Sequence, residues 1–152
     1  EYKNNVALIR EFMPAAGITT DIIVGFPGET DEEFNETMEF VKAINFSRIH
    51  VFKYSMREGT KAADMEPQVA GTIKFNRSRQ LIDLGERISY EFIGGFIGRD
   101  LPVLIETQND DNLYEGYTTN YLKVLLKSDI NVRNEIIKVH IKGIRNDYLV
   151  GE

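Results

Sequence analysis

The sequence contains no cysteine. That excludes disulfides, thiol catalysis and thiolate-held metal from these 152 residues taken alone. Histidine is scarce too: His50 and His140 are too few for a self-contained zinc site. No apolar run approaches the roughly eighteen residues of a membrane span, and no basic-then-apolar leader opens the chain. These absences point to the cytoplasm. The first residue is Glu1 rather than methionine, inside what reads as a helix, so the chain reads as a fragment.

What is there is ordinary for a globular protein: 42% hydrophobic and 28% charged residues. Net charge is −6. Residues 1–94 carry 11 basic and 15 acidic side chains, and residues 95–152 carry 7 and 9. Neither half is a basic nucleic-acid binder by bulk charge, although a local basic patch can sit on an acidic protein.

Periodicity divides the chain. Val6, Ile9 and Met13 fall at helical spacing over 4–13, and Pro14 ends the segment. Residues 18–26 read as a strand covered on both faces, as in a parallel sheet. The turn Gly25-Phe26-Pro27-Gly28 leads to a second helix, where Thr30 and Glu33 have the spacing of a capping box. Phe34, Met38 and Val41 form its buried stripe, with Ile44 beyond. Residues 47–54 form another β-rich run, so this half is a βαβ unit and belongs to the α/β class. A long helix over about 69–93 follows, with Ile73, Leu81, Leu84 and Ile88 as its apolar members. After Gly94, Gly95 and Gly98 the pattern becomes all-β. Five short runs, 102–107, 113–118, 121–126, 135–144 and 148–151, predict a small barrel.

Several residues are candidates for chemistry. The Gly25–Thr30 turn can cradle phosphate on helix-terminal amides, can be a plain tight turn, or can let a flat ligand lie against the strand end. Glu29, Asp31, Glu32 and Glu33 argue against phosphate. Arg57, in the loop after the second strand, is either a carboxylate or phosphate partner or a surface arginine beside Glu58. Asp21 sits in an apolar strand, where a lone charge needs a structural partner or a ligand. His50 and His140 read as packed strand residues. On the barrel, Tyr114, Tyr117 and Tyr121 interleave with Asn120, Lys123 and Lys127, a pattern that stacks unpaired bases or simply builds a sheet. Lys138, Lys142 and Arg145 fall on one later run.

Two segments carry a resemblance. Ile18-Thr19-Thr20-Asp21-Ile22-Ile23-Val24-Gly25-Phe26-Pro27-Gly28-Glu29-Thr30 resembles a late-barrel signature of the radical S-adenosylmethionine methylthiotransferases. The stretch from His50 through Tyr54-Ser55-Met56-Arg57-Glu58-Gly59-Thr60, followed by Ala62 and Ala63, resembles that family's next signature. The tail resembles its RNA-binding TRAM barrel. Gly116-Tyr117-Thr118-Thr119-Asn120-Tyr121-Leu122-Lys123-Val124 is similar to the branch that modifies threonylcarbamoyladenosine in tRNA.

The resemblance implies the last βα units of a partial TIM-type barrel over 1–93 and a five-stranded TRAM domain over 94–152. It implies S-adenosylmethionine and two 4Fe-4S clusters in a longer enzyme, and a tRNA anticodon stem-loop as substrate. An electron donor would reduce the clusters, and a methylthio group would replace hydrogen at C2 of the base. Every cluster cysteine is missing, so no catalytic or metal-ligating residue is assigned and the chain alone is expected to be inactive. The cofactor contacts expected on this basis are Asp21, Ile23, Val24, Gly25, Val51, Phe52 and Arg57. The expected RNA contacts are Tyr117, Asn120, Tyr121, Lys123, Lys138 and Lys142. Rival readings are a non-catalytic RNA-binding module and a methylthiotransferase acting on isopentenyladenosine or on a ribosomal protein.

Overall fold

The capping box foreseen at Thr30 is formed in the computed structural model, which describes residues 1–109 and 112–152. The Glu33 amide donates to Thr30 Oγ1 at 3.2 Å, and the Thr30 amide donates to Glu33 Oε2 at 2.9 Å. Two otherwise orphan amides of helix α2 (Asp31–Ile44) are satisfied in this way. The helix ends at Asn45, whose left-handed φ of 55° lets its amide close back on Val41 O. Before it lie α1 (Tyr2–Phe12) and β1 (Thr19–Val24); after it come β2 (Arg48–Lys53), a 3₁₀ turn at Lys61–Ala63 and α3 (Gly71–Gly94).

The chain divides into two compact units. The first comprises residues 1–8 and 18–89, the second 9–17 and 90–152. In the first, β1 and β2 pair in parallel as a two-stranded sheet, with Ile22 opposite Val51 and Ile23 opposite Phe52. Its core joins Val24, Phe34, Val41, Ile44, Phe46, Leu81, Leu84 and Ile88, and Ile22, Ile49 and Val51 pack against it. The even residues of β1 therefore face the apolar side chains of α2 and α3. The odd residues are exposed, so the strand is covered on one face rather than on both as its apolar run suggested. Ile73, expected in the buried stripe of α3, is also exposed.

The second unit is a closed barrel of β3 (Asp100–Gln108), β4 (Leu113–Thr118), β5 (Lys123–Lys127), β6 (Ile136–Arg145) and β7 (Tyr148–Gly151). The strand order is β3-β4-β5-β7-β6, antiparallel throughout except for the parallel β5–β7 pair. Closure removes every unpaired edge. Val103, Ile105, Tyr114, Val124, Leu126, Val139, Ile141 and Leu149 alternate inward and fill it. The barrel expected from five short runs is borne out. The third run begins at Lys123 rather than Tyr121, because Tyr121 takes a left-handed φ of 62° and belongs to the preceding turn.

Gly116 shows how tightly β3 and β4 approach: a side chain there would run into the Leu104 carbonyl and the Ile105 backbone. Backbone cannot step aside as a flexible side chain can. Gly116→Ala should therefore destabilise the barrel by about 2 kcal/mol or more. Urea unfolding of the two proteins checks this, and equal midpoints would refute it.

Candidate functional site

The open face of β1–β2 carries Thr19, Asp21 and Ile23 beside Arg48, His50 and Phe52. Ile23 is 55% and Phe52 52% exposed, and they are register partners, so two large apolar side chains lie side by side uncovered. Of the residues expected at a cofactor, Asp21, Ile23 and Phe52 share this face. Val24 and Val51 lie on the opposite, packed face. Asp21 is not the buried charge its apolar surroundings suggested, and His50, its register partner, is exposed rather than packed. Both misreadings have one cause, the two-sidedness of the strand. Arg57 is exposed in the loop after β2, where its carbonyl accepts from the Thr60 amide and hydroxyl.

The turn after β1 is held from inside. The Gly25 amide, at φ 71°, donates to Glu29 Oε2 at 3.0 Å. The other Glu29 oxygen accepts from Arg77 Nη1 at 2.6 Å, and the same nitrogen donates to the Glu29 carbonyl at 3.0 Å. Arg77 Nη2 reaches Asp31 Oδ1 at 2.6 Å. Arg77 itself is 5% exposed, with its guanidinium 5.5 Å from the centre of the Phe34 ring. Burial works to lower its pKa, but the hydrogen bonds to Asp31 and Glu29 outweigh that and hold it above the ordinary arginine value. The turn's anion is thus its own Glu29, which occupies an amide that a phosphate would need. The space beside Gly25 is filled by the Lys74 stem, whose Nζ donates to the Tyr54 carbonyl at 3.2 Å. Sequence reasoning did not single out Arg77, which stands among other polar and basic residues of α3 (Lys74, Asn76, Ser78, Arg79).

On the barrel, Tyr117 and Tyr121 line a groove of about 650 Å³ on the outer face. Pro102, Leu104 and Ile136 give it apolar lining, Thr118 and Thr119 also line it, and Glu106 adds a carboxylate that sequence reasoning missed. Tyr114 is not part of this surface: it points inward and is buried in the barrel core. Asn120 is spent on structure. Its Oδ1 accepts from the Thr118 hydroxyl at 2.6 Å, and its Nδ2 donates to the Ala15 carbonyl at 2.7 Å within the same unit. Lys123, the register partner of Tyr117, lies over the Tyr148 ring at 5.1 Å. The Tyr148 hydroxyl, by hydrogen bonding, raises its pKa above the usual lysine value.

Three outward side chains of β6, Lys138, His140 and Lys142, each meet a carboxylate, and Arg145 at the strand end is exposed. Lys138 Nζ is 2.9 Å from Asp100 Oδ2, and His140 Nδ1 is 2.7 Å from Asp100 Oδ1. Lys142 pairs with Glu152. Lys138 and Lys142 are therefore not a bare basic stripe. His140 is exposed at this pair rather than packed as expected. The hydrogen bonds from Lys138 first, then His140, hold the Asp100 carboxyl below its ordinary value.

The chain thus combines a parallel βα unit, one strand face of which is open, with a closed five-stranded mixed barrel. No protein-family model matches the chain. Over 148 residues, 95% of its length, the chain is 40% identical to the threonylcarbamoyladenosine tRNA methylthiotransferase MtaB of Bacillus subtilis, covering 33% of that protein. It is 37% identical, over 99% of its length, to the tRNA-2-methylthio-N(6)-dimethylallyladenosine synthases of Acetivibrio thermocellus and Pelotomaculum thermopropionicum, covering 32% and 34% of them. The chain is homologous along essentially its whole length to the tRNA methylthiotransferases MtaB and the dimethylallyladenosine synthases. It spans about a third of the length of the curated relatives it matches.

Arg77→Met removes the only positive charge bonded to Glu29 among the described residues and leaves that half-buried carboxylate without an ion-pair partner there. The expected loss is about 3 kcal/mol, read by urea unfolding; a loss under about 1 kcal/mol would refute the role given to the clamp. The Asp100 pairs predict an acid effect. The folded carboxyl titrates below the unfolded one, so the unfolded chain takes up its proton first as pH falls. The stabilisation is full above the ordinary aspartate value of about 3.9 and is lost as pH drops through the folded value. Melting temperatures between about pH 5 and pH 2 should fall less steeply in Asp100→Asn, and parallel curves would contradict the pairing.

Proposed function

We propose that this chain is the part of a tRNA methylthiotransferase that supplies late strands of the radical S-adenosylmethionine barrel and the TRAM barrel that grips tRNA. The substrate in this reading is N6-threonylcarbamoyladenosine beside the anticodon. The observation that carries it is the 40% identity to a relative named for that nucleoside, running through both the βα unit and the barrel. The Gly116–Val124 segment supports the same branch. A second reading, isopentenyl-type adenosine, is favoured by the 37% identity to the dimethylallyladenosine synthases.

The residues present suit one cofactor and not the other. Ile23 and Phe52 offer adjacent exposed apolar surface on the open strand face, suited to a flat purine, and Asp21 and His50 stand beside them with polar groups. S-adenosylmethionine held there supplies the radical and methyl chemistry of the longer enzyme. Within this chain, Ile23 and Phe52 exclude water from the purine, and the Arg77–Glu29 clamp sets the end of the strand that bears Ile23. With no cysteine, the chain offers no thiolate to an iron–sulfur cluster, and we derive no step through one. The barrel presents Tyr117, Tyr121 and Lys123 to RNA, with an external electron donor and a cytoplasmic setting as in tRNA modification generally.

The test uses the full-length parent gene, expressed anaerobically in a strain lacking methylthiolation. Nucleoside mass spectrometry of its tRNA should show a methylthio group on threonylcarbamoyladenosine. The same group on isopentenyladenosine would keep the reaction and overturn the branch. An assembled enzyme that leaves tRNA unmodified would overturn the tRNA reading.

A further inference from the structure

We propose that the groove on the outer face of the barrel takes one unpaired guanine of the RNA strand, and that Glu106 is the residue that reads it. The inference rests on the tRNA reading above and names the base chemistry of that surface.

Three features of the groove point the same way. Tyr121 is 85% exposed and holds a left-handed φ of 62°, an unfavourable state for a bulky residue. It is kept there by its amide bond to the Thr118 carbonyl at 3.0 Å and by the Leu122 amide on Thr118 Oγ1 at 2.9 Å. Burial does not reward that conformation; its visible effect is to stand an aromatic ring at the groove edge near Tyr117. Glu106 is the extra residue of a bulge: Ile105 pairs with Gly116 and Thr107 with Glu115, leaving Glu106 without a partner on β4. A bulge re-aims its side chain. The Glu106 carboxylate makes no salt bridge among the described residues, whereas Lys138 and Lys142 of β6 each meet a carboxylate.

An apolar slot lined by two tyrosines suits the face of any base. A carboxylate in that slot does not. It has only acceptors, and guanine alone presents two neighbouring donors, N1–H and the N2 amino group, on its pairing edge. Adenine and cytosine set one amino group beside a ring-nitrogen acceptor, and uracil flanks its one N–H with two carbonyls. Both mismatches repel the second carboxylate oxygen. Lys123, register partner of Tyr117, supplies a nearby cation for the strand's phosphate.

Fluorescence anisotropy of the 152-residue chain at low salt, with short oligouridine strands bearing one central guanosine, inosine or adenosine, tests this. Guanosine should bind about tenfold tighter than adenosine, with inosine, which lacks the N2 amino group, in between. Glu106→Gln should erase that order and leave the far-UV spectrum unchanged. Tyr121→Ala should weaken all strands alike. Equal binding of the three strands by the unaltered chain overturns the guanine site and leaves the tRNA reading standing. No binding of any strand overturns both. A guanosine preference that survives Glu106→Gln removes Glu106 from the site. Competition by N-acetyl-arginine amide that needs Glu106, without any guanosine preference, would assign the groove to an arginine-bearing protein instead.

Discussion

A single buried guanidinium ties together the half of the chain that carries the open strand face. Arg77 projects from α3 into a turn whose backbone and carboxylates all need a donor, and it supplies three hydrogen bonds to Glu29 and Asp31. Burying an arginine costs several kcal/mol unless its charge is met. Here it is met twice, though its Nε is left without a partner. Glu29 passes the constraint on to the Gly25 amide, so the end of β1, the start of α2 and the middle of α3 are held by one connected set of charges. Phe34 at 5.5 Å from the guanidinium shows the apolar core reaching the same point.

The two units handle their strands in opposite ways. In the barrel every strand has two neighbours, one face is filled with aliphatic side chains, and no hydrogen-bonding edge remains. In the βα unit two strands present an uncovered face on which Ile23 and Phe52 lie together. Large adjacent apolar side chains without cover mark a surface that something else meets. In the proposed enzyme that is the cofactor and the remainder of the strand barrel.

Charge on the barrel surface is local rather than global. With Lys138, His140 and Lys142 each beside a carboxylate, long-range attraction of phosphates is weak, in keeping with the overall charge of −6. In the proposed enzyme, affinity for RNA would then come from contact: aromatic faces at Tyr117 and Tyr121, the Lys123 cation, and hydrogen bonding inside the groove. Such a surface selects by base chemistry and shape more than by counting phosphates.

Local rules made much of this legible in the amino-acid order. The Thr30–Glu33 spacing specified a helix start because capping is settled within four residues. Alternation and turn residues announced five strands, and five short strands without a covering layer have to close. Homology to methylthiotransferases was legible as well, since two signature segments survive in order. The remainder depended on which side of an element faces which neighbour. An apolar run does not state whether a strand is covered once or twice, so Asp21 and His50 read as buried and proved exposed, while Tyr114, open between base stacking and an ordinary sheet role, proved core. Arg77 lies 46 residues from Asp31 and 48 from Glu29, and Glu106 lines one groove with Tyr117 and Tyr121 from a different strand. Such pairings are made by packing across the chain, where burial sets the worth of each charge, and no window of neighbouring residues contains them.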